Sequence, residues 1–197
     1  MIKKWAKRTF RRYRVVISWI HALRLRRHGV VVGSGCLFFG SPIVRNRGSI
    51  QIGEGAVLRS SRMANLSSLG TKLILDVRNG GSISIGPRTG LSNCILISRA
   101  HIEIGEGTFI GADAKIFDND FHSLNPENRR HWAERDIISR PILIGKRCFI
   151  GGGAIILKGA VIGDEAVIGA GAVVSGTVGP REIWAGNPAK KVKDLDF

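Results

Sequence analysis

The sequence predicts an all-β solenoid in which short strands, joined by tight turns, stack coil upon coil. Residues 144–179 divide into six consecutive six-residue units, each beginning with Ile or Val. The fifth position of every unit is Cys, Ala or Val, and Gly follows the first residue in four units. A period of six fits neither a helix nor a plain half-buried strand. It fits a coil whose aliphatic side chains point inward and whose compact residues lie where the wall bends. The units are IGKRCF, IGGGAI, ILKGAV, IGDEAV, IGAGAV and VSGTVG.

The first 28 residues are predicted to form a separate, basic helix. Residues 2–27 contain no Gly or Pro, and a mostly apolar stripe recurs at spacings of three and four. Residues 1–53 carry 12 of the 30 Lys and Arg residues and no acid, in a chain of net charge +15. The apolar run is too short for a transmembrane helix or a signal sequence. The stripe consists of Trp5, Thr9, Tyr13, Val16, Ile20 and Leu23.

Three functions are open for this helix. A basic amphipathic helix with Trp and Tyr has the composition of one that lies on an anionic membrane face. The plainer alternative is a helix packed against the end of the solenoid, with its charges solvated. Nucleic-acid binding is the third reading, but no recognition motif supports it, so no nucleic-acid partner is expected.

Residues 29–183 are predicted to form the solenoid, interrupted by one extruded loop. Units of the same kind recur before residue 117, beginning at Ile52, Ile85, Ile104 and Ile110, with less regular coils over 58–84. Residues 117–143 are polar and lack the glycine pattern. A loop of this length inside a compact domain is usually functional or disordered.

The extruded loop opens with Asp118-Asn119-Asp120-Phe121-His122. A His held near a solenoid wall could act as a general base, with Asp118 or Asp120 orienting its ring. No Ser or Cys lies in a context that suggests a nucleophile. Metal binding by the same Asp and His residues is conceivable, but no second ligand cluster supports it, so no metal is expected. The odd, widely spaced cysteines predict neither a disulfide framework nor a zinc site, as in a cytosolic protein, and Cys148 is predicted to be a core residue.

Repeat, loop and tail together resemble the left-handed parallel β-helix of the hexapeptide-repeat acyltransferases, in the branch of sugar and polysaccharide O-acetyltransferases. The tail that carries the resemblance reads IWAGNPAK over residues 183–190. The similarity is strong over about 85–193 and looser over 30–84. It implies acetyl-CoA as co-substrate, a homotrimer with sites between subunits, and a CoA-binding tail at 184–197.

The resemblance also implies roles for individual residues. His122 corresponds to the family's catalytic base, with Asp120 beside it, and Asn93 falls near an Asn that holds the acceptor. Gly152 falls where a backbone N–H meets the thioester oxygen. The expected CoA contacts are Phe149, Gly152, Ala170, Ser175, Lys190 and Lys193, whereas Gly176 stands where relatives often place a basic residue.

The resemblance implies direct transfer of an acetyl group to a sugar hydroxyl. The acceptor is predicted to lie on a surface polysaccharide or its lipid-linked precursor, because the basic helix would bring the enzyme to the membrane where such precursors are found. With a membrane-bound helix over residues 1–27, the enzyme would be cytoplasmic and peripheral on the inner face of the cytoplasmic membrane. Two alternatives are an acetyltransferase for a small soluble acceptor, such as a free sugar, amino sugar or antibiotic, and a non-catalytic solenoid scaffold.

Overall fold

The structure is a computed structural model of the chain, and it describes residues 2–61, 63–66, 68, 72–130 and 136–196. Within the first helix, side chains are described from residue 15 onward. The fold is a parallel β-helix of three sheets, visited in a fixed cyclic order by successive strands. The predicted solenoid is therefore confirmed.

The first sheet consists of β1 (Val30–Val32), β4 (Ser49–Ile52), β7 (Ser82–Ile85), β10 (His101–Ile104), β13 (Ile142–Ile144), β16 (Val161–Ile162) and β19 (Thr177–Val178). The second contains β2 (Leu37–Phe39), β5 (Val57–Arg59), β8 (Gly90–Ser92), β11 (Phe109–Ile110), β14 (Phe149–Ile150), β17 (Val167–Ile168), β20 (Glu182–Gly186) and β21 (Ala189–Asp194). The third contains β3 (Ile43–Asn46), β6 (Ile74–Val77), β9 (Ile95–Ser98), β12 (Lys115–Phe117), β15 (Ile155–Leu157) and β18 (Val173–Val174).

The six-residue period places one aliphatic residue of each unit in a continuous core. Ile150 pairs in register with Ile110 on one side and Ile168 on the other, and all three are buried. The fifth-position residues are buried as predicted, including Cys148 and Ala154. Strands on each sheet are only two to four residues long over most of the chain, so the chain turns a corner after each strand.

Close stacking at the corners explains the glycine that follows the first residue of most units. A Cβ on Gly151 would lie 2.5 Å from the backbone nitrogen of Ala170, which belongs to the next coil. No side chain fits at that distance. The second position of the unit therefore holds glycine because coils approach each other through backbone.

Helix α1 (Ile2–Arg27) packs on β1 and β2, the outermost strands of the first two sheets. Ala22 and Leu25 join the core, and the Phe38 N–H donates a 3.0 Å hydrogen bond to the buried Ser18 hydroxyl. Packing on the solenoid, the plainer of the readings for this helix, is therefore observed. No helix in the described part of the chain is long and apolar enough to span a membrane.

The described part of the apolar stripe of α1 does not make this contact, and the side chains of Trp5, Thr9 and Tyr13 lie outside the described residues. Within the described half of the helix, Val16, Ile20 and Leu23 are exposed, and Trp19 beside them is 61% exposed. At 3.6 residues per turn these side chains lie roughly opposite Ser18, Ala22 and Leu25. The helix thus has two apolar faces, and only one of them packs on the solenoid.

Two loops leave the wall at different corners. The longer lies between Phe117 and Ile142, where the third sheet meets the first, and contains the short helix α2 (Pro126–Arg130). The second lies between Arg59 and Ile74, where the second sheet meets the third. The sequence pattern predicted the first loop but assigned the second region only to irregular coils. We call these places the 3–1 corner and the 2–3 corner.

The chain ends in a β-hairpin that the sequence did not reveal. β20 pairs in parallel with β17 and then antiparallel with β21. Trp184 and Ala189 pack against the core. The hairpin therefore caps the last edge of the second sheet, as α1 covers the first.

Candidate active site

Asp118 fixes the root of the long loop to the coil that precedes it. Its buried carboxylate accepts hydrogen bonds from the Ser98 hydroxyl (2.7 Å) and from the backbone N–H groups of Arg99 and Ala100 (both 2.8 Å). Because both oxygens are committed to this corner, Asp118 anchors the loop. That Asp118 also orients the His122 ring stays a prediction.

The two stems of the loop pair with each other before the loop departs. The Arg140 N–H donates to the Asp118 carbonyl at 2.8 Å, and the Asp120 N–H donates to the Ile138 carbonyl at 3.1 Å. An isolated antiparallel bridge joins Asn119 and Ser139 between them. The loop thus begins as a short ribbon with a defined direction.

His122 follows a tight turn at the end of this ribbon. Its N–H donates to the Asp120 carbonyl at 2.7 Å, and the residue between them, Phe121, has φ 62°. A bulky residue in the left-handed region is costly and persists only when its surroundings impose it. Here the Phe121 ring packs edge-on against Phe117 (centroids 5.0 Å apart), with the Arg78 guanidinium 5.7 Å above it. These contacts hold the turn that presents the exposed His122 side chain.

Asp120 is tied to the coil that follows the loop. Its Oδ1 accepts a hydrogen bond from the Lys158 ammonium in an ion pair, and the two side chains are 16% and 27% exposed respectively. Its Oδ2 is buried and accepts no hydrogen bond from the described residues. The sequence singled out Asp120 but not Lys158, whose position in the repeat carries no constant residue type.

The residues expected to contact the acyl donor lie on another part of the wall. Gly152 and Ala170 stack at the 2–3 corner, where the Gly171 N–H donates to the Gly152 carbonyl at 2.9 Å. Both residues are exposed, and the Gly152 N–H donates to no group among the described residues. Ser175, also exposed, lies instead at the 3–1 corner. One chain therefore separates these residues over two corners.

Asn93 also lies at the 2–3 corner, and it is fully buried. Its Nδ2 donates to the Ser61 carbonyl at 3.3 Å, and its own N–H donates to the Arg59 carbonyl at 2.8 Å. The side chain of Asp113, in the next coil, accepts a 3.0 Å hydrogen bond from Ser68. Asn93 thus anchors the shorter loop, and its φ of 44° marks the turn.

The C-terminal hairpin brings two lysines to one face. Lys193 pairs with Ile183 and Lys190 with Ala185, because a bulge after Ile183 adds one residue to β21. Directly paired residues of an antiparallel pair point to the same side, and Ile183 and Ala185 share a face. Both lysines are exposed and form no ion pair with the described carboxylates. Between them, Lys191 contacts Glu182 and Asp194 instead.

Two exposed phenylalanines lie side by side on the second sheet. Phe109 pairs with Phe149, and the two residues are 56% and 52% exposed. The Phe109 ring lies over Gly90, where a Cβ would meet it at 2.6 Å. Together they make an apolar face that borders the 2–3 corner.

In the part of the chain that the structure describes, neither the cysteines nor the acidic groups form a second reactive centre. Burial raises the pKa of the Cys94 thiol to about 12 and also raises the pKa of Cys148. Among the described residues, no three His, Cys, Asp or Glu side chains are grouped so that they could hold a metal ion.

Comparison with known proteins gives results consistent with this geometry. Residues 141–175 match the family model described as the hexapeptide repeat of succinyl-transferase. Nodulation protein L of Rhizobium meliloti (strain 1021) is 44% identical over 112 residues, which are 56% of this chain and 59% of that protein. The chain thus spans less than two thirds of the length of this relative.

Two further matches cover more of their counterparts. A Dictyostelium discoideum protein, whose name assigns it provisionally to the acetyltransferases, is 36% identical over 133 residues, 65% of this chain and 68% of that protein. AntD, an N-acyltransferase from Bacillus cereus solved with dTDP and coenzyme A, has a TM-score of 0.68 at 22% identity and covers 88% of this chain and 89% of its own.

The structural match confirms the predicted left-handed parallel β-helix. The Dictyostelium relative shares more than a third of its residues with this chain over more than two thirds of its own length. On the strength of that relationship, together with the repeat, the chain belongs to the family of hexapeptide-repeat acyltransferases.

Proposed function

We propose that the protein is an acetyl-CoA-dependent O-acetyltransferase that transfers the acetyl group directly to a sugar hydroxyl. The observation that carries the proposal is the exposed His122, presented by a loop whose root is held by buried contacts on both sides. A family member with a positioned imidazole needs neither a nucleophilic side chain nor a metal for this transfer. Support comes from the family and from the acyltransferase names of its relatives.

His122 acts as the general base in this proposal. A hydroxyl is a poor nucleophile at neutral pH, so the imidazole removes its proton as the oxygen attacks the carbonyl carbon of the thioester. The new C–O bond forms, the C–S bond breaks, and the proton passes from His122 to the departing sulfur. The products are the acetyl ester and CoA, and the base returns to its neutral form.

The amide of Gly152 is proposed to stabilise the oxygen of the thioester carbonyl as it gains negative charge. Gly152 is exposed, and its N–H donates to no group in the described part of the chain, which suits a fixed donor in an oxyanion site. The backbone supplies this group without any reorganisation of a side chain. The contribution of such a donor is typically a factor of about 10² to 10³ in turnover.

Residues along the wall and the hairpin are proposed to bind the CoA portion. Phe149, Ala170 and Ser175 offer exposed, mostly apolar surface for the pantetheine arm. Lys190 and Lys193 share one face of the hairpin and are free of carboxylate partners among the described residues, so they suit the CoA phosphates. A single chain nevertheless places Ser175 at one corner and Ala170 at another.

The distribution over two corners supports a homotrimer with sites between subunits. His122 lies at the 3–1 corner, whereas Gly152 lies at the 2–3 corner. The third sheet separates these two corners, and at the rise per residue of a β-strand its width is roughly 15 Å. A base and an oxyanion donor must both reach one thioester, so they are proposed to come from neighbouring chains. The apolar pair Phe109 and Phe149 supplies contact surface beside that site.

The acceptor is proposed to be a saccharide on a surface polysaccharide or its lipid-linked precursor. Asn93 is assigned to the acceptor side of the site, through the shorter loop that it anchors. A small soluble acceptor is the second candidate within the same chemistry. The presence of a nodulation protein and an N-acyltransferase among the relatives supports the reaction class but leaves the acceptor as a proposal.

A peripheral place on the inner face of the cytoplasmic membrane is proposed because of the exposed apolar side chains of α1. Its exposed face carries Val16, Trp19, Ile20 and Leu23, while its other face is occupied by the solenoid. Near an anionic surface, each basic residue at the end of the helix contributes roughly 1 kcal/mol to the free energy of membrane binding. The helix would therefore lie flat in the interface while the solenoid stays in the cytoplasm.

His122→Ala tests the enzymatic proposal. With acetyl-CoA and a panel of saccharides, transfer is measured as free thiol released and as acetyl ester formed, seen by mass spectrometry. Loss of the base is expected to lower turnover at least about a hundredfold. His28→Ala is the matched control, because His28 is exposed and lies beyond α1 at the far end of the solenoid. Equal activity of His122→Ala and wild type would refute this mechanism, and a wild type without transfer would favour a scaffold.

Vesicle co-sedimentation tests the membrane proposal. Replacing Val16, Trp19, Ile20 and Leu23 by Ser removes the exposed apolar side chains but keeps Ala22 and Leu25, which pack in the core. Binding to vesicles with 30 mol% phosphatidylserine (about the anionic content of a cytoplasmic leaflet) is expected to fall at least about tenfold. Val161→Ser, an exposed change on the wall, is the control. Unchanged binding would refute the proposal.

A further inference from the structure

The ion pair between Lys158 and Asp120 connects the wall of the solenoid to the residue that holds His122. Lys158 follows β15 at the 3–1 corner, one coil beyond the loop. The Asp120 carbonyl accepts the His122 N–H, and the Asp120 N–H donates to the opposite stem. Asp120 therefore links the wall to the loop. Its side chain contacts Lys158 on the wall, and its backbone forms hydrogen bonds within both stems.

The coils that precede and follow the loop along the solenoid axis both bind it. The coil before it binds Asp118 through Ser98, Arg99 and Ala100. The coil after it binds Asp120 through Lys158, and the Gly159 N–H adds a 3.3 Å hydrogen bond to the Arg140 carbonyl. Asp118 holds the point where the loop begins, whereas the Lys158 contact lies two residues from His122.

The positive charge of Lys158 stabilises the partly buried carboxylate of Asp120 in its observed position. A carboxylate that is 16% exposed requires compensation, and its second oxygen has no donor among the described residues. Lys158 is then the main group that offsets the cost of burying this charge. Without the ammonium, Asp120 would turn toward water, and the carbonyl that fixes the His122 N–H would move with it.

We infer that Lys158 is a positioning residue for the transfer reaction and acts on His122 through Asp120. The inference rests on the proposed role of His122 as base. Lys158 itself touches neither substrate. Its effect is to keep the imidazole within reach of the acceptor hydroxyl, since proton transfer requires a heavy-atom distance of about 2.6 to 3.2 Å.

Lys158→Met is the first test, because methionine keeps much of the length but removes the charge. We expect kcat to fall about ten- to a hundredfold, while KM for acetyl-CoA stays within about twofold. Lys158→Arg keeps the charge and should recover at least a few-fold of the lost kcat. The matched control is Lys146→Met, at the same position of an earlier unit, where the side chain is exposed and forms no ion pair with the described residues.

A double-mutant cycle identifies the route of the effect. If Lys158 acts through Asp120, adding Lys158→Met to Asp120→Asn should lower kcat by less than about twofold further. Independent, multiplying losses would overturn the inference. So would a Lys158→Met enzyme whose kcat equals that of wild type, or an equal loss in Lys146→Met.

Trypsin digestion tests the same contact without using catalysis. The loop has exposed sites at Arg129 and Arg130. Lys158→Met should speed cleavage there at least about tenfold, because the open state of the loop gains population. Unchanged cleavage would overturn the inference even if kcat falls. If wild type has no transferase activity, the proposed function fails, whereas the digestion still decides whether Lys158 holds the loop.

Discussion

Ser98 donates a 2.7 Å hydrogen bond to Oδ2 of Asp118, and both side chains are buried. The contact joins the end of one strand, β9, to the first residue of the long loop, one coil further along. The backbone N–H groups of Arg99 and Ala100 and the side-chain amide of Asn119 also donate to this carboxylate. This small network converts a break in the repeat into a loop with a fixed starting direction.

Asp118→Asn should destabilise the protein by about 1 to 3 kcal/mol. An amide has one acceptor oxygen, so the four donors that face Asp118 cannot all be satisfied, and its NH₂ group would face other donors. Chemical denaturation should show the loss in the free energy of unfolding, and turnover should fall with it. Asp196→Asn, an exposed change near the C-terminus, should alter neither quantity. A stable Asp118→Asn protein would contradict the anchoring role.

Gly151→Ala and Gly176→Ala should differ sharply. The added methyl would meet the backbone nitrogen of Ala170 at 2.5 Å in the first case and nothing within 4 Å in the second. We expect a loss of about 1 to 3 kcal/mol at Gly151 from strain between coils. At Gly176 the change should stay within about 0.5 kcal/mol. Thermal melts of the two variants measure the difference, and equal melting temperatures would contradict close backbone stacking.

Cys36 and Cys94 should react with thiol reagents at different rates. Burial raises the pKa of Cys94 to about 12, so less than about one thiol in 10⁴ is ionised at pH 7.5. Burial also raises the pKa of Cys36, but this residue is only half-buried and should be modified first. Native-state alkylation followed by peptide mass spectrometry checks the order. Rapid labelling of Cys94 in folded protein would contradict its burial.

Replacing Lys190 and Lys193 by Gln should weaken CoA binding by about three- to thirtyfold at low salt. The two ammonium groups share one face of the hairpin and lack carboxylate partners among the described residues, so phosphates would lose two favourable charges. The difference should shrink as salt rises, because exposed charges are screened. Calorimetric titration with CoA measures the effect, and Lys72→Gln is the control. Identical affinities at low salt would exclude the hairpin from the CoA site.

Phe109→Glu should dissociate the proposed trimer. A carboxylate on this face would lose its water on assembly and would stand beside the apolar Phe149. The dissociation constant should rise at least about a hundredfold, as seen by light scattering over a concentration series. Val31→Glu places the same charge at an exposed site on the first sheet and should leave assembly unchanged. A trimeric Phe109→Glu protein would rule out this face as the interface.

The solenoid itself was predictable because its signal is periodic. Each six-residue unit places Ile or Val in the core and a compact residue at the bend, so units such as those at Ile150 and Ile168 identify the coils without knowledge of distant contacts. The long loop was predictable for the same reason, since it interrupts the period. The shorter loop before Ile74 was not, because the units around it are themselves irregular.

The side-chain contacts between coils could not be predicted from the sequence. Lys158 and Asp120 are 38 residues apart, and only the stacking of β15 on β12 brings them together. The same holds for Ser98 and Asp118, whose contact shows that Asp118 anchors the loop to the preceding coil. Which side chains meet along the solenoid axis depends on the number of residues in each coil and loop. Local sequence patterns do not encode that number where a loop interrupts the repeat.

The sequence by itself determined the β-helix, the helix α1 and the loop that carries His122. The β-helix and α1 each have a periodic pattern of apolar residues, and the loop interrupts the six-residue period. Only the tertiary structure decided which face of α1 packs, which aspartate holds the loop and which corner each site residue occupies. Those outcomes depend on contacts between residues far apart in the chain. Burial and charge pairing at such contacts select among arrangements that are locally equivalent.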